Sequence, residues 1–444
     1  MNDQFRHTPD RSERASPVPA AIVPPGAEAP SRQRPLRTGV FGVLDVGSTK
    51  VTCLIGKVDS DGQVRVLGFG WHQSRGVKAG GIIDLDEAER AIRKAVGDAE
   101  SMADQRLRSV LVNLGCGHPA SQLFHVQWPV GGRAVSDQDV RRVVNEGRAR
   151  AVADGRDTIH VLPLAFAVDD TPGVPDPRGL HCDTLSARLH VVDAGTTALR
   201  NLVLTLERCE LTLGELISAP LAAGLSTLVE DERQLGATVI DMGGGTTGMA
   251  VFSDGQAIHT SLLGVGGGHV TNDIARVLST TVVHAERLKT LYGSAVACPD
   301  DEREMLPLPL VGEAEHHVGR VPRSQVVNVI RPRLEETFEL VRDRLNATGL
   351  AHEAGNRVVL TGGASQLSGV RELAGHILDR QVRLGRPHPL RGLPDHASGP
   401  GFATAAGLMA WASGAGRSLP DIDVFEEAST GWLKRLANYL RDRV

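Results

Sequence analysis

Two aspartates, Asp45 and Asp241, each sit near the end of an apolar run and are followed by a turn of small residues. The first run reads Val43-Leu-Asp-Val-Gly-Ser-Thr-Lys-Val-Thr-Cys-Leu-Ile-Gly56, the second Val239-Ile-Asp-Met-Gly-Gly-Gly-Thr-Thr-Gly-Met-Ala-Val-Phe252. Glycine at 47, 243, 244 and 245 lets backbone N–H groups approach phosphate oxygens and line up as an anion nest. Ser48, Thr49, Thr246 and Thr247 add hydroxyl donors, and Lys50 adds a point charge. Asp45 and Asp241 supply hard oxygen that would meet Mg²⁺ through its water shell. Two such turns facing each other would clamp a nucleoside triphosphate and its metal from both sides. The residues assigned to this work are Asp45, Gly47, Ser48, Thr49, Lys50, Asp241, Gly243, Gly244, Gly245 and Thr246.

The elements that position them read as hairpins. Val51-Thr-Cys-Leu-Ile and Met249-Ala-Val-Phe follow the turns and are rich in β-formers. A P-loop needs Gly-x-x-x-x-Gly-Lys-Ser/Thr opening a helix, a spacing absent here, and a dinucleotide fingerprint needs a helix after its turn. The competing reading is two ordinary glycine turns. A third element, Arg357-Val-Val-Leu-Thr-Gly-Gly-Ala-Ser-Gln-Leu-Ser-Gly369, is an apolar strand, a Gly362-Gly363 turn and a helix start. Its bare backbone would press on a flat base or ribose; alone, it reads as a plain strand-to-helix turn.

With these motifs in this order, the chain resembles the actin-like ATPase superfamily, and within it the FtsA family of bacterial division proteins. The resemblance runs over about residues 38–444. It is carried by Leu44-Asp-Val-Gly-Ser-Thr-Lys50, Ser74-Arg-Gly-Val-Lys-Ala-Gly-Gly81, Glu230-Asp-Glu-Arg-Gln-Leu-Gly236, Ala285-Glu-Arg-Leu-Lys289, Leu360-Thr-Gly-Gly363 and the C-terminal helix. It implies an α/β, actin-like (ribonuclease H-like) two-lobe fold with an inserted small α+β domain and a C-terminal amphipathic helix. It also implies ATP and Mg²⁺ as cofactors and places Glu286 and Lys289 beside the ribose or base. The implied partners are other copies of the chain, the anionic inner membrane, later division proteins and the C-terminal peptide of FtsZ, with Arg331 and Arg333 as candidate contacts for that peptide.

Composition is compatible with this reading. A chain of 444 residues that is 41% hydrophobic can build two or more cored domains. A net charge of −5 gives no global pull toward nucleic acid. Cys53, Cys116, Cys182, Cys209 and Cys298 are scattered without metal spacing, as in a reducing cytoplasm. No apolar run reaches membrane-spanning length.

The expected organisation is a disordered extension over 1–37 and a first lobe over 38–82 and 183–235, with 403–412 returning to it. An inserted unit spans 83–182, a second lobe 236–402, a linker 413–430 and a terminal helix 431–444. A helix over 330–345 would carry Pro332 near its first turn. In the terminal helix, Trp432, Leu433, Leu436, Tyr439 and Leu440 share one arc, with Lys434, Arg435 and Arg441 on the other. That pattern suits a helix lying in a membrane interface; the competing reading is a terminal helix docked on the core. Each basic residue contributes roughly 1 kcal/mol near an anionic leaflet, so one copy binds marginally and a filament gains by avidity.

The stretch Ser218-Ala-Pro-Leu-Ala-Ala-Gly224, where the actins and MreB place a water-orienting residue, offers a hydroxyl and aliphatic groups. ATP binding with weak or absent turnover is therefore expected. The reading is an actin-like protein that polymerises on the cytoplasmic face of the inner membrane and tethers FtsZ filaments at the division site. The alternatives are a small-molecule kinase of the same fold and a PilM-like pilus scaffold.

Overall fold

A computed structural model describes residues 39–416, apart from 60–61, 152 and 314–317. The first hairpin forms as expected. Strand β1 (Val40–Val46) pairs antiparallel with β2 (Lys50–Val58), setting Asp45 opposite Thr52, and β3 (Val64–Gln73) completes a meander. A short pair, β4 (Val77–Lys78) and β5 (Gly81–Ile82), leads into helix α1 (Leu85–Ala103). Asp84 caps α1 by accepting from the Glu87 N–H, and an Ala/Ile face at Ala88, Ala91, Ile92, Ala95 and Ala99 is buried. Strand β6 (Ser109–Leu114) then runs parallel to β1.

The chain next builds a separate sheet. Strands β7 (Ala120–Pro129), β8 (Arg156–Val168), β9 (Thr171–Val174) and β10 (Thr184–Gly195) lie in the order β7-β10-β8-β9, with helix α2 (Asp137–Arg150) packed across them. Ser136 and Asp139 form a capping box at the start of α2. Helix α3 (Thr196–Arg208) and strand β11 (Thr212–Ser218) return to the first sheet, whose order is β11-β6-β1-β2-β3.

This corrects the expected 83–182 insertion. Helix α1 and strand β6 belong to the first lobe, because Val110, Leu111, Val112 and Leu114 are buried in a strand flanked on both edges. Strand β10, expected in the first lobe, is an inner strand of the inserted sheet, pairing with β7 on one edge and β8 on the other.

Helices α4 (Ala219–Thr227) and α5 (Glu230–Leu235) cross to the second lobe. There β12 (Ala237–Met242), β13 (Thr247–Ser253) and β14 (Gln256–Leu263) form the second meander. Helices α6 (Gly267–Val277) and α7 (Val282–Tyr292), the hairpin β15 (Met305–Pro309) and β16 (Val318–Pro322), and helix α8 (Arg323–Ala347) follow. Strand β17 (Arg357–Thr361), helix α9 (Val370–Leu378) and strand β18 (Gln381–Leu384) close a sheet ordered β14-β13-β12-β17-β18. Read from its other edge, this is the order of the first sheet: a meander on one side and two parallel strands on the other.

Because α8 begins at Arg323, Pro332 lies inside it, not in its first turn. Its ring removes the N–H that the Asn328 carbonyl would receive in a regular helix.

Between the two sheets lie α4 and the last described helix, α10 (Ala403–Ala412). All nine residues of α4 are buried, as a helix covered on every side requires. Gly407 of α10 lies where a Cβ would collide with the Ala222 carbonyl of α4, so glycine sets the closeness of the two helices. The expected calls on 1–37, on most of the linker and on the terminal helix lie outside the described residues. Among the described residues no helix is long and apolar enough to cross a membrane.

Candidate functional site

The two Asp-x-Gly turns are built alike and face each other. In the first, the Gly47 N–H donates to the Lys50 carbonyl at 3.0 Å; in the second, the Gly243 N–H donates to the Thr246 carbonyl at 2.9 Å. A Cβ on Gly244 would collide with Thr49 Oγ1, and one on Gly245 with Ser48 Oγ. Glycine at these two positions is what lets the turns meet. Behind the first turn, Ser48 Oγ accepts from the Gly80 N–H at 3.1 Å, and buried Asn113 Oδ1 accepts from the Val46 N–H at 2.7 Å. Thr247 is buried and donates to the Val265 carbonyl at 2.8 Å, so its hydroxyl serves the turn's architecture.

Asp45, Lys50 and Asp241 share one buried electrostatic environment. Burial raises the Asp45 carboxyl well above the ordinary carboxylate range; Lys50 partly offsets this and Asp241 adds to it. Asp241 is also raised by burial, against a 2.8 Å hydrogen bond from Thr404 Oγ1 and the charge of Lys50. Burial lowers the Lys50 ammonium, with both aspartates opposing.

A buried and a half-buried carboxylate beside one ammonium form a site in which a divalent cation would favour the charged acids. Among the described residues no three His, Cys, Asp or Glu side chains converge as a metal cage. Two acids plus water and phosphate oxygens are the ligand type Mg²⁺ takes, so the residues present fit a water-mediated ion.

The third motif forms the adjoining wall. Gly362 has φ +86°, and a Cβ there would collide with Asp241 Oδ1, so only glycine fits. Gly363 is exposed, with open space where its side chain would be. Lys289 Nζ reaches Glu286 Oε2 at 2.7 Å and also donates to Thr271 Oγ1 at 2.8 Å and the Gly267 carbonyl at 3.1 Å. Gly267 in turn donates to the Gly243 carbonyl at 2.9 Å, and a Cβ on it would lie 3.0 Å from the Ala364 Cβ. The Glu286–Lys289 pair is thus joined through the start of α6 to both the second turn and the Gly362–Gly363 turn.

Sequence reasoning missed the segment Pro400–Thr404. Phe402 lies under Lys50 with Nζ 3.1 Å from its ring centroid, and the Gly362 N–H donates to the Pro400 carbonyl at 3.2 Å. No motif spacing marks these residues; the only signal is Gly399-Pro-Gly401 ahead of an apolar helix.

The two arginines expected at a partner surface separate. Arg331 pairs with Glu335 at 2.8 Å on the surface of α8. Arg333 reaches Asp273 of α6 at 2.6 Å and also pairs with Glu336. It lines an open groove of about 710 Å³ between α6 and α8, with Asp273, Val277, Asn328, Val329 and Pro332.

Residues 238–407 match the family model described as cell division protein FtsA, and residues 116–193 match the SHS2 domain inserted in FTSA. The second span coincides with the inserted sheet. The cell division protein FtsA of Agrobacterium fabrum is 43% identical over 392 residues, covering 85% of this chain and 88% of that protein. The chain belongs to the FtsA family. The Escherichia coli K12 member is 34% identical over 411 residues, covering 90% of this chain and 96% of its own. Among solved structures, a PilM-PilN type IV pilus biogenesis complex matches with a TM-score of 0.60 over 84% of this chain and 98% of that one. At 17% identity that likeness shows the fold alone. The chain is a cell-division protein with the actin-like fold, and the kinase and pilus-scaffold alternatives are set aside.

Proposed function

We propose that this FtsA-family protein binds ATP with Mg²⁺ between its two hairpins and uses it as an assembly switch. It polymerises on the cytoplasmic face of the inner membrane, lies there through residues 431–444, and tethers FtsZ filaments at the division site while later division proteins dock on it. The observation that carries the nucleotide part is the meeting of Asp45, Lys50 and Asp241 under two glycine turns. Gly47, Ser48 and Thr49 on one side and Gly243–Thr246 on the other offer N–H and O–H donors to phosphate oxygens. Gly362 and Gly363 lie against the base or ribose, with Glu286 and Lys289 at its edge. Bound Mg²⁺ would supply the positive charge that lets both aspartates stay ionised.

Turnover is expected to be weak. Ser218–Gly224 is buried and holds no carboxylate or amide side chain, and the Ser218 N–H is engaged with His160 Nε2 at 3.1 Å. For FtsZ, the groove beside Arg333 suits an extended peptide with an acidic group and apolar anchors, Val277, Val329 and Pro332 being its apolar lining.

The test is ATP-dependent co-sedimentation with anionic vesicles. The full chain is compared with one ending at residue 430, each with and without FtsZ. Pelleting of the full chain alone, carrying FtsZ, supports the tether. If truncation changes nothing, residues 431–444 pack on the core and the tether reading falls.

A further inference from the structure

The seat of the Lys50 ammonium is the least explained feature of the site. Its Nζ lies 3.1 Å from the centroid of the Phe402 ring. That ring is held edge-on by Phe69, with centroids 5.8 Å apart at 68°, and Phe69 meets His396 in the same manner at 5.5 Å. The main chain keeps the ring in place: Pro400 accepts from Gly362, and a Cβ on Gly401 would come within 3.2 Å of Lys50 Nζ. The ammonium therefore rests on an aromatic face that is itself braced from the side.

An ammonium on an aromatic face is attracted by the ring quadrupole. A charge-assisted hydrogen bond to phosphate is the stronger partnership. An ammonium seated on a ring is thus held until an anion arrives, and leaving the ring subtracts from the anion's affinity.

We propose that Phe402 is a positioning residue of the nucleotide site: it parks the Lys50 ammonium on its ring, and Lys50 transfers from the ring to phosphate oxygens when a triphosphate enters. The proposal rests on the reading of the two hairpins as an ATP site. It separates the roles of the two residues. Lys50 touches phosphate, whereas Phe402 acts through Lys50 and sets how readily it is released. It also separates ligands, because a ligand without phosphate leaves Lys50 on the ring.

The experiment is calorimetric titration of the full chain with Mg·ATP and, separately, adenosine. Four proteins are compared: the natural sequence, Phe402→Leu, Lys50→Met and the double variant. Phe402→Leu keeps an apolar side chain but removes the π face; it should bind Mg·ATP about three- to tenfold more tightly, the span expected from loss of a partly buried cation–π contact. Its adenosine affinity should be unchanged, and the gain should vanish in the Lys50→Met background. Upfield ring-current shifts of the Lys50 side-chain protons should be present without ligand and disappear on adding Mg·ATP. If Phe402→Leu fails to fold, Phe402→Met carries the same test: it fills a similar volume without a π face and should show the same gain for Mg·ATP and the same loss of the ring-current shifts. Equal losses of ATP and adenosine affinity in Phe402→Leu would make the ring a base contact and overturn the proposal. So would ATP affinity that stays unchanged. If the natural sequence binds adenosine but gains nothing from the phosphates, the ATP reading itself falls and the proposal with it.

Discussion

At the scale of single residues, the site is governed by the cost of burying charge. Burial pushes the Asp45 carboxyl from an ordinary 3.8 up to about 7, with Lys50 offsetting and Asp241 adding. The folded state therefore holds this proton more tightly than the unfolded chain. Stability is fully present below pH 3.8 and is lost as pH rises through about 7. In the protein without nucleotide, Asp45→Asn should raise Tm at pH 8 and have no effect near pH 4. The rise should be roughly 1 °C for each kcal/mol recovered in a chain of this length. The same change should weaken Mg·ATP binding at least about tenfold, since the aspartate would otherwise favour the metal. A Tm that fell at both pH values would mean the carboxylate is structurally required. Asp241→Asn should also weaken Mg·ATP. It keeps an acceptor for the Thr404 hydroxyl, so thermal melts should show little loss.

The residues legible in the sequence were those whose chemistry is tied to a turn. Asp45 and Asp241 announce themselves because each ends an apolar run ahead of a turn of small residues, and the same pattern occurs twice. Phe402 and Thr404 do not. They reach the site only through tertiary placement of a helix start, and a phenylalanine before an apolar helix reads as core.

At the scale of elements, an acidic side chain ties the connection between lobes to the second sheet. Glu232 of α5 meets Arg357 of β17 at 3.2 Å and also pairs with Arg383 of β18, which donates to the Thr227 carbonyl at 2.8 Å. Burial would raise its carboxyl, but the Arg383 and Arg357 contacts outweigh that and lower it to about 2. Its contribution is present above the ordinary value of 4.5 and is lost as pH falls toward 2. Glu232→Gln should cost about 2 kcal/mol in urea melts at pH 7, and the difference from the natural sequence should shrink at pH 3. A constant difference would assign the loss to packing. On α10, Gly407→Val would drive a side chain into the Ala222 carbonyl of α4. It should cost about 3 kcal/mol or block folding; soluble expression with an unchanged melt would contradict that packing.

The hairpins and most helices were legible because alternation and apolar period follow the backbone directly. The boundary of the insertion was not. Sequence order placed β6 with the inserted unit and β10 with the first lobe, whereas sheet membership depends on strands far apart in the chain. Pro332 misled for a related reason: a proline marks a helix start only where no preceding turn is stabilised by tertiary contact, and Val326, Val327 and Ile330 of α8 are all buried.

At the scale of the whole molecule, the inserted sheet meets the second lobe along β14, where Leu123 and Leu164 pack on that lobe's core and one hydroxyl joins the two sheets. Ser121 Oγ of β7 is 2.6 Å from His190 Nε2 of β10 and accepts from the Thr260 N–H of β14 at 3.2 Å. Strand β14 then runs into the turn whose Gly267 and Gly268 N–H groups bond the Gly243 and Gly244 carbonyls. Ser121→Ala should speed hydrogen exchange at the Thr260 amide while leaving β12 protected. Equal acceleration in both strands would mean that the whole lobe loosens and that the contact is no local fastening.

The placement of α10 has a mechanical reading. Its first turn carries Thr404, bonded to Asp241, and its far end carries Trp411, whose indole N–H donates to Glu215 Oε1 at 2.9 Å. A helix is stiff along its axis, and ten residues span about 15 Å. A displacement of Asp241 would therefore be carried along α10 toward Ala412, as along a push-rod in a sleeve formed by α4 and the two sheets.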